Sequence, residues 1–146
     1  MKPNVLVLGT FDLLHFGHMH FLQQCRTRGI VTVGLSSDVN ASRQRRPIMD
    51  YAERTTTLLM LPWVQYVHIK SEASARPIIE KLKPHIMVYG SDWEEADWLA
   101  ENEITIKYLE EKDIVLAKIP HPQLMSTTTI IERAALSVIK VRPPIH

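Results

Sequence analysis

The chain is poor in several residue types that announce common functions. It holds one cysteine, Cys25, among 146 residues. That excludes an intrachain disulfide and suits a reducing, cytoplasmic compartment. Its 17 basic and 16 acidic residues leave a net charge of +1, so the strongly basic stripe of a general nucleic-acid binder is missing. No apolar run approaches the ~20 residues of a membrane span. The opening MKPNVLVLG meets Asp12 too soon for a secretory signal. There are five glycines, and neither GxxxxGK[ST] nor GxGxxG occurs; the P-loop and dinucleotide fingerprints are both absent. No repeat or low-complexity segment is present either.

What remains is an ordinary globular composition, 45% hydrophobic and 23% charged, in a chain long enough to bury roughly 70% of its unfolded surface. Asn4–Leu8, a short and almost continuous apolar run, reads as a strand buried on both faces, and Ile30–Leu35, Val64–Ile69, His85–Tyr89 and Ile114–Ile119 read as the other strands. Helical patterns separate them. His18–Arg28 carries Phe21, Leu22 and Cys25 at helical spacing, with Gly29 where a helix would end. Asp50 and Glu53 form a capping-box pair before a helix that runs through Leu61, and Ala75–Leu82 is closed by Pro84. The polar stretch Glu94–Lys112 reads as helical, and Ser126–Ile139 has an apolar side. Ser36–Pro47 reads as a loop with at most one helical turn.

Strands alternating with helices predict a single Rossmann-like, doubly wound parallel α/β sheet of about five strands. It spans residues 1–140, and 141–146 (VRPPIH) are expected to be a mobile tail. In such sheets ligands bind beyond the carboxyl ends of the strands. The loops to watch are therefore Gly9–His18, Gly90–Trp93 and Pro120–Thr128.

The first of these reads GTFDLLHFGH. Glycines at Gly9 and Gly17 let backbone approach a ligand closely, and a helix N-terminus favours phosphate. His15 and His18, three residues apart, fall on one side of a helical turn. They either cap and pack the helix start or offer two imidazole donors to one group. Asp12 either orders this loop or serves a metal. The basic run Arg43, Arg45 and Arg46 is either a solvated loop or a phosphate clamp. Ser126, Thr127 and Thr128 suit both an N-cap and a phosphate contact. Trp93 reads as core or nucleotide wall, Cys25 as a small buried apolar residue, and Trp63 and Trp98 as core or subunit contact.

GTFDLLHFGH resembles the GxFDxxHxGH signature of the cytidylyltransferase-like nucleotidyltransferases. The likeness continues through VGLSSD, RPIMDYAER, IIEKLKPHIMVYGSDW and MSTTTIIER, in the order seen in glycerol-3-phosphate cytidylyltransferases and in the adenylyltransferase domain that activates heptose 1-phosphate. The resemblance implies attack of a small acceptor's phosphate on the α-phosphorus of an NTP. CTP with glycerol 3-phosphate or a similar polyol phosphate is the first expectation, and ATP with a sugar 1-phosphate is the alternative. It implies catalytic roles for His15, His18 and Arg54. Nucleotide contacts fall to Gly9, Thr10, Phe11, Gly17, His18, Gly90, Asp92, Trp93, Ser126, Thr127 and Thr128, and acceptor-phosphate contacts to Arg43, Arg45 and Arg46. Mg²⁺ held mainly by the nucleotide phosphates, with Asp12 its candidate protein ligand, and a homodimer are also implied. The sequence departs from the glycerol-phosphate enzymes at His121-Pro122-Gln123-Leu124-Met125, where they carry RTEGI with an arginine on CTP. That departure motivates a further alternative, a nucleotide-binding module without catalysis.

Overall fold

The computed structural model describes residues 1–120 and 127–141. The strands are β1 (Asn4–Gly9), β2 (Ile30–Ser36), β3 (Val64–Lys70), β4 (Ile86–Gly90) and β5 (Val115–Ile119). The helices are α1 (Phe16–Arg26), α2 (Asp38–Ala41), α3 (Tyr51–Leu59), α4 (Arg76–Leu82), α5 (Glu95–Glu101), α6 (Ile106–Glu111) and α7 (Thr127–Val141). All strand pairs are parallel, in the order β3-β2-β1-β4-β5. This is the doubly wound sheet that the alternation of runs predicts, with its order reversing between β1 and β4.

The inner runs form strands because both of their faces are covered, whereas the edge strands β3 and β5 leave Tyr66, Ile69 and Val115 exposed. Val5 and Val7 of β1 pack with Phe21, Leu22 and Cys25 of α1 and Leu58 of α3. Leu6 points the other way, among Ile78 and Ile79 of α4, Trp98 of α5 and Tyr108 and Leu109 of α6. A period of two between two helix layers explains why no hydrophobic alternation is visible in these segments.

Several boundaries differ from the sequence expectation, each for a reason visible in the structure. α1 starts at Phe16, two residues before the expected His18, because His15 caps it. It ends at Arg26 with Thr27 as C-cap, so Gly29 does not close the helix. A Cβ at Gly29 would lie 2.1 Å from the backbone oxygen of Pro3, and Ile30 N–H donates to that same oxygen at 2.8 Å. Glycine is needed there for close approach of β2 to the start of β1. The stretch Glu94–Lys112 is two helices. Glu103, at φ 53, breaks the turn, and the Thr105 side chain caps α6 by accepting from Tyr108 N–H. The capping box of Asp50 and Glu53 is present in both halves. The single turn expected within Ser36–Pro47 is α2. Val141 ends α7, and the rest of the expected tail, 142–146, lies outside the described residues, as do His121–Ser126.

Candidate active site

The carboxyl ends of the strands meet two adjoining cavities. The first, about 190 Å³, is walled by Leu8 and Gly9 from β1 and Thr10 just beyond it, Ser36 and Lys70 from the ends of β2 and β3, Asn40, Ala41, Arg43 and Gln44, and Trp93, Trp98, Glu101 and Asn102. The second, about 380 Å³, is walled by Thr10, Phe11, Asp12, His18, Ala41, Gln44, Arg45, Pro47 and Thr128. Thr10, Ala41 and Gln44 belong to both, so the two form one cleft with a waist.

The loop from β1 to α1 shapes that waist under backbone strain. Phe11 at φ 48 and Leu13 at φ 52 occupy the left-handed region, which side chains other than glycine rarely adopt. The Phe11 ring folds back over Gly9, where a Cβ would come within 2.7 Å of Phe11 Cε2. The role of Gly9 is thus to admit this ring. Asp12 is 3% exposed, and its carboxylate accepts the N–H groups of Ile48 at 2.8 Å and Met49 at 2.9 Å. Of the two roles weighed for Asp12, the structure displays the ordering of loops. Among the described residues no group of three or more His, Cys, Asp or Glu side chains is placed to hold a metal ion.

His15 and His18 stack with ring centroids 3.9 Å apart. His15 Nδ1 accepts from Gly17 N–H at 3.0 Å, and His18 Nδ1 accepts from His15 N–H at 3.4 Å. The pair therefore caps α1 as a box made of imidazoles. Capping and donation are compatible: with each Nδ1 an acceptor, the proton of each neutral ring resides on Nε2. His18 reaches the second cavity, while His15 is buried behind it. The N–H of Gly17 donates to His15, so this glycine holds the histidine pair, and it borders neither cavity.

Arg54 is the clearest displacement from expectation. It is 0% exposed and borders neither cavity. Its Nε donates to Met49 O at 2.9 Å, Nη1 to Thr10 O at 2.9 Å and Ser36 O at 2.8 Å, and Nη2 to Asp38 Oδ1 at 2.7 Å. One guanidinium thus ties the β1 loop, the end of β2, α2 and the start of α3 together from beneath the cleft. The Arg54 hydrogen bond holds the Asp38 carboxyl below its usual range.

The basic run divides. Arg43 lines the first cavity, donating to Asn40 Oδ1 at 3.0 Å and reaching Glu101 at 3.5 Å. Arg45 lines the second and donates to Thr128 Oγ1 at 3.2 Å. Arg46 is exposed and borders neither. Trp93 walls the first cavity, but Gly90 and Asp92 border neither. Ser126 and the departure at His121–Met125 lie outside the described residues, and Thr127 contributes the first turn of α7.

Sequence reasoning missed Lys70, Asn40, Gln44, Glu101 and Asn102, and took Trp98 for core or subunit contact. Trp98 is buried and stacked on Tyr89, with centroids 5.3 Å apart, yet also walls the cavity. Asn40 Nδ2 donates to Ser36 Oγ at 3.3 Å and Lys70 O at 3.4 Å, joining two strand ends to Arg43. These residues carry no local motif. A signal available beforehand was the lysine that ends the strand run Val64–Lys70.

The fold and cleft define an α/β domain whose strand ends surround a cationic, imidazole-bearing site at the switch point of the sheet. Residues 6–133 match the family model described as cytidylyltransferase-like, and the chain belongs to that family. It is 35% identical over 143 residues to the bifunctional protein HldE of Geotalea uraniireducens, covering 95% of this chain and 28% of that protein. It is 40% identical over 96 residues to the protein of the same name from Geobacter metallireducens, covering 63% and 20%. The chain thus spans between a fifth and about a quarter of the length of these curated relatives. Among solved structures, the lipopolysaccharide core biosynthesis protein of Thermoplasma volcanium superposes with TM-score 0.66 at 25% identity, over 82% of this chain and 97% of that one. Pantothenate synthetase of Thermus thermophilus, with TM-score 0.58 at 12% identity over 96% of this chain and 70% of that one, shares the fold. Among the described residues no helix is long and apolar enough to cross a membrane.

Proposed function

We propose that this chain is a nucleotidyltransferase that moves a nucleotidyl group from an NTP to the phosphate of a small sugar or polyol. The carrying observation is the two-lobed cleft, with His18 on one side of the Thr10–Gln44 waist and a polar, tryptophan-walled lobe on the other. Tryptophan faces with amide and charged groups around them suit a hydroxyl-rich body. The reading that pairs ATP with a sugar 1-phosphate gains support from the relatives; CTP with glycerol 3-phosphate retains the wording of GTFDLLH.

An oxygen of the acceptor phosphate attacks the α-phosphorus, the bond from that phosphorus to the bridging oxygen breaks, and pyrophosphate leaves. The attacking group is already ionised, so no general base is required, and the work is positioning and charge stabilisation. In this reading His18 Nε2–H donates to the α-phosphate as its charge grows, and His15 holds the His18 ring by stacking. Arg45 and Thr128 face the phosphates from the opposite wall, and Arg54 keeps the loops in place without touching substrate. A magnesium ion bound to the triphosphate would neutralise part of its charge; Asp12, which borders that lobe while accepting the Ile48 and Met49 N–H groups, is the carboxylate that would face it.

The test is pyrophosphate release from the purified chain with magnesium, ATP or CTP, and a panel of sugar 1-phosphates and glycerol 3-phosphate. Release with one pair is expected. Absence of release with every pair, together with nucleotide binding, would leave only a binding module. His18→Asn, whose side-chain oxygen can still accept from His15 N–H, should lower kcat by about a hundredfold if His18 donates in the transition state. An unchanged kcat would restrict His18 to capping.

A further inference from the structure

Lys70 has no part in the reaction just described, yet it is the most unusual charge in the cleft. It is 5% exposed at the end of β3 and walls the first cavity. Its Nζ donates to the carbonyls of Glu72 at 2.7 Å and Ala73 at 2.8 Å, which uses two of its three protons. Among the described residues it enters no ion pair. The nearby carboxylate of Glu101 is already taken by Arg43 and by Gln44. Burial and the like charge of Arg43 both push the Lys70 pKa down. Glu101, Glu103 and Glu72 oppose that shift from beyond contact distance. A buried ammonium on a cavity-wall residue, beside a second cation and in ion-pair contact with no carboxylate, is an arrangement that an arriving anion would relieve.

Its position says which part of an acceptor it meets. Gly9 pairs with Leu35 and Leu35 with Ile69, so Lys70 stands one row higher and two strands across from β1. At a strand spacing of ~4.8 Å its backbone is about 10 Å from that of Thr10. The reacting phosphate must lie at the Thr10 waist to reach the His18 lobe. Lys70 therefore stands at the far end of the acceptor.

We propose that Lys70 selects acceptors that carry, besides the phosphate that reacts, a second anionic group, a carboxylate or a phosphate, which pairs with its ammonium. The assignment of ends rests on the transferase reading above. The site would then take a phosphorylated sugar acid or a sugar bisphosphate in preference to a neutral sugar phosphate.

The experiment compares three probes on wild type, Lys70→Met and Lys70→Arg: a hexose 1-phosphate, the corresponding uronic acid 1-phosphate and the hexose 1,6-bisphosphate. Calorimetry measures binding of each in the presence of a non-hydrolysable ATP analogue, and pyrophosphate release gives kcat and KM. Wild type should bind one or both charged probes about ten- to a hundredfold more tightly than the neutral one, the size of one charge-assisted hydrogen bond. The gain should appear in KM with kcat little changed, vanish in Lys70→Met and be largely restored in Lys70→Arg. Preference for the uronic acid over the bisphosphate identifies a carboxylate, and the reverse a second phosphate. Equal binding of all three, binding of none, or a preference that survives Lys70→Met overturns the proposal. The binding arm needs no turnover. A chain that binds the charged probe through Lys70 but releases no pyrophosphate removes the transferase reading and leaves the anion pairing in place.

Discussion

Arg54→Met replaces a fully buried guanidinium by an apolar side chain of similar length, and the structure allows its cost to be worked out. Three backbone carbonyls, those of Met49, Thr10 and Ser36, lose a charged donor, and Asp38 loses its partner. Asp38 has a half-exposed side chain, so water compensates it, and the carbonyls carry most of the loss. At ~1.5 kcal/mol for each hydrogen bond from a charged donor, the three sum to about 4–5 kcal/mol. Part of this returns because the guanidinium no longer has to be dehydrated, so a net loss of about 3–4 kcal/mol is expected, in the range found when buried pairs are broken. Against a total of about 5–15 kcal/mol that is a large share. Urea unfolding should show a lower midpoint with an unchanged slope, and melting should fall by about 10 °C. Arg54→Lys should recover less than half, because one ammonium cannot reach partners spread around a planar fork. A loss below about 1 kcal/mol for Arg54→Met, with transfer activity abolished in a folded protein, would refute the strut and return Arg54 to the phosphates.

Other outcomes follow from the same geometry. Gly29→Ala should cost about 3 kcal/mol in urea unfolding, since its Cβ would meet the Pro3 backbone and not a yielding side chain; wild-type stability would refute that approach. Burial lifts the Cys25 thiol to about 12, so the native protein should resist thiol reagents at pH 8 and react only as it unfolds; prompt labelling would place the thiol elsewhere. Burial and the hydrogen bond to Glu80 raise Tyr108 to about 12. The unfolded chain therefore loses this proton first, and the contribution of Tyr108 is whole below pH ~10 and lost between ~10 and 12. In Tyr108→Phe the alkaline limb of the stability profile should be shallower, and an identical limb would count against the assignment.

The elements of this fold were legible because their causes are local. Apolar runs bounded by turn residues made strands, and the Asp50–Glu53 box marked the start of α3 within one segment of chain. GTFDLLHFGH likewise announced a strand, a strained turn and an imidazole-capped helix in ten consecutive residues. One misplaced boundary had a non-local cause: Gly29 is explained by Pro3, and nothing near it in the chain indicates that contact.

The sequence by itself determined a doubly wound parallel sheet with a histidine pair at its first turn, since strand formation and helix capping depend on neighbours a few residues away. Only the tertiary structure decided what the polar side chains do. Arg54 meets Thr10 across 44 positions, and Asp12 meets Ile48 across 36. Lys70, Asn40 and Glu101 share a cavity wall although they lie on three separate elements. Whether a charge serves as a strut, a loop clasp or a ligand contact depends on which carbonyls and cavities surround it after folding, and chain order does not encode that arrangement in any short pattern.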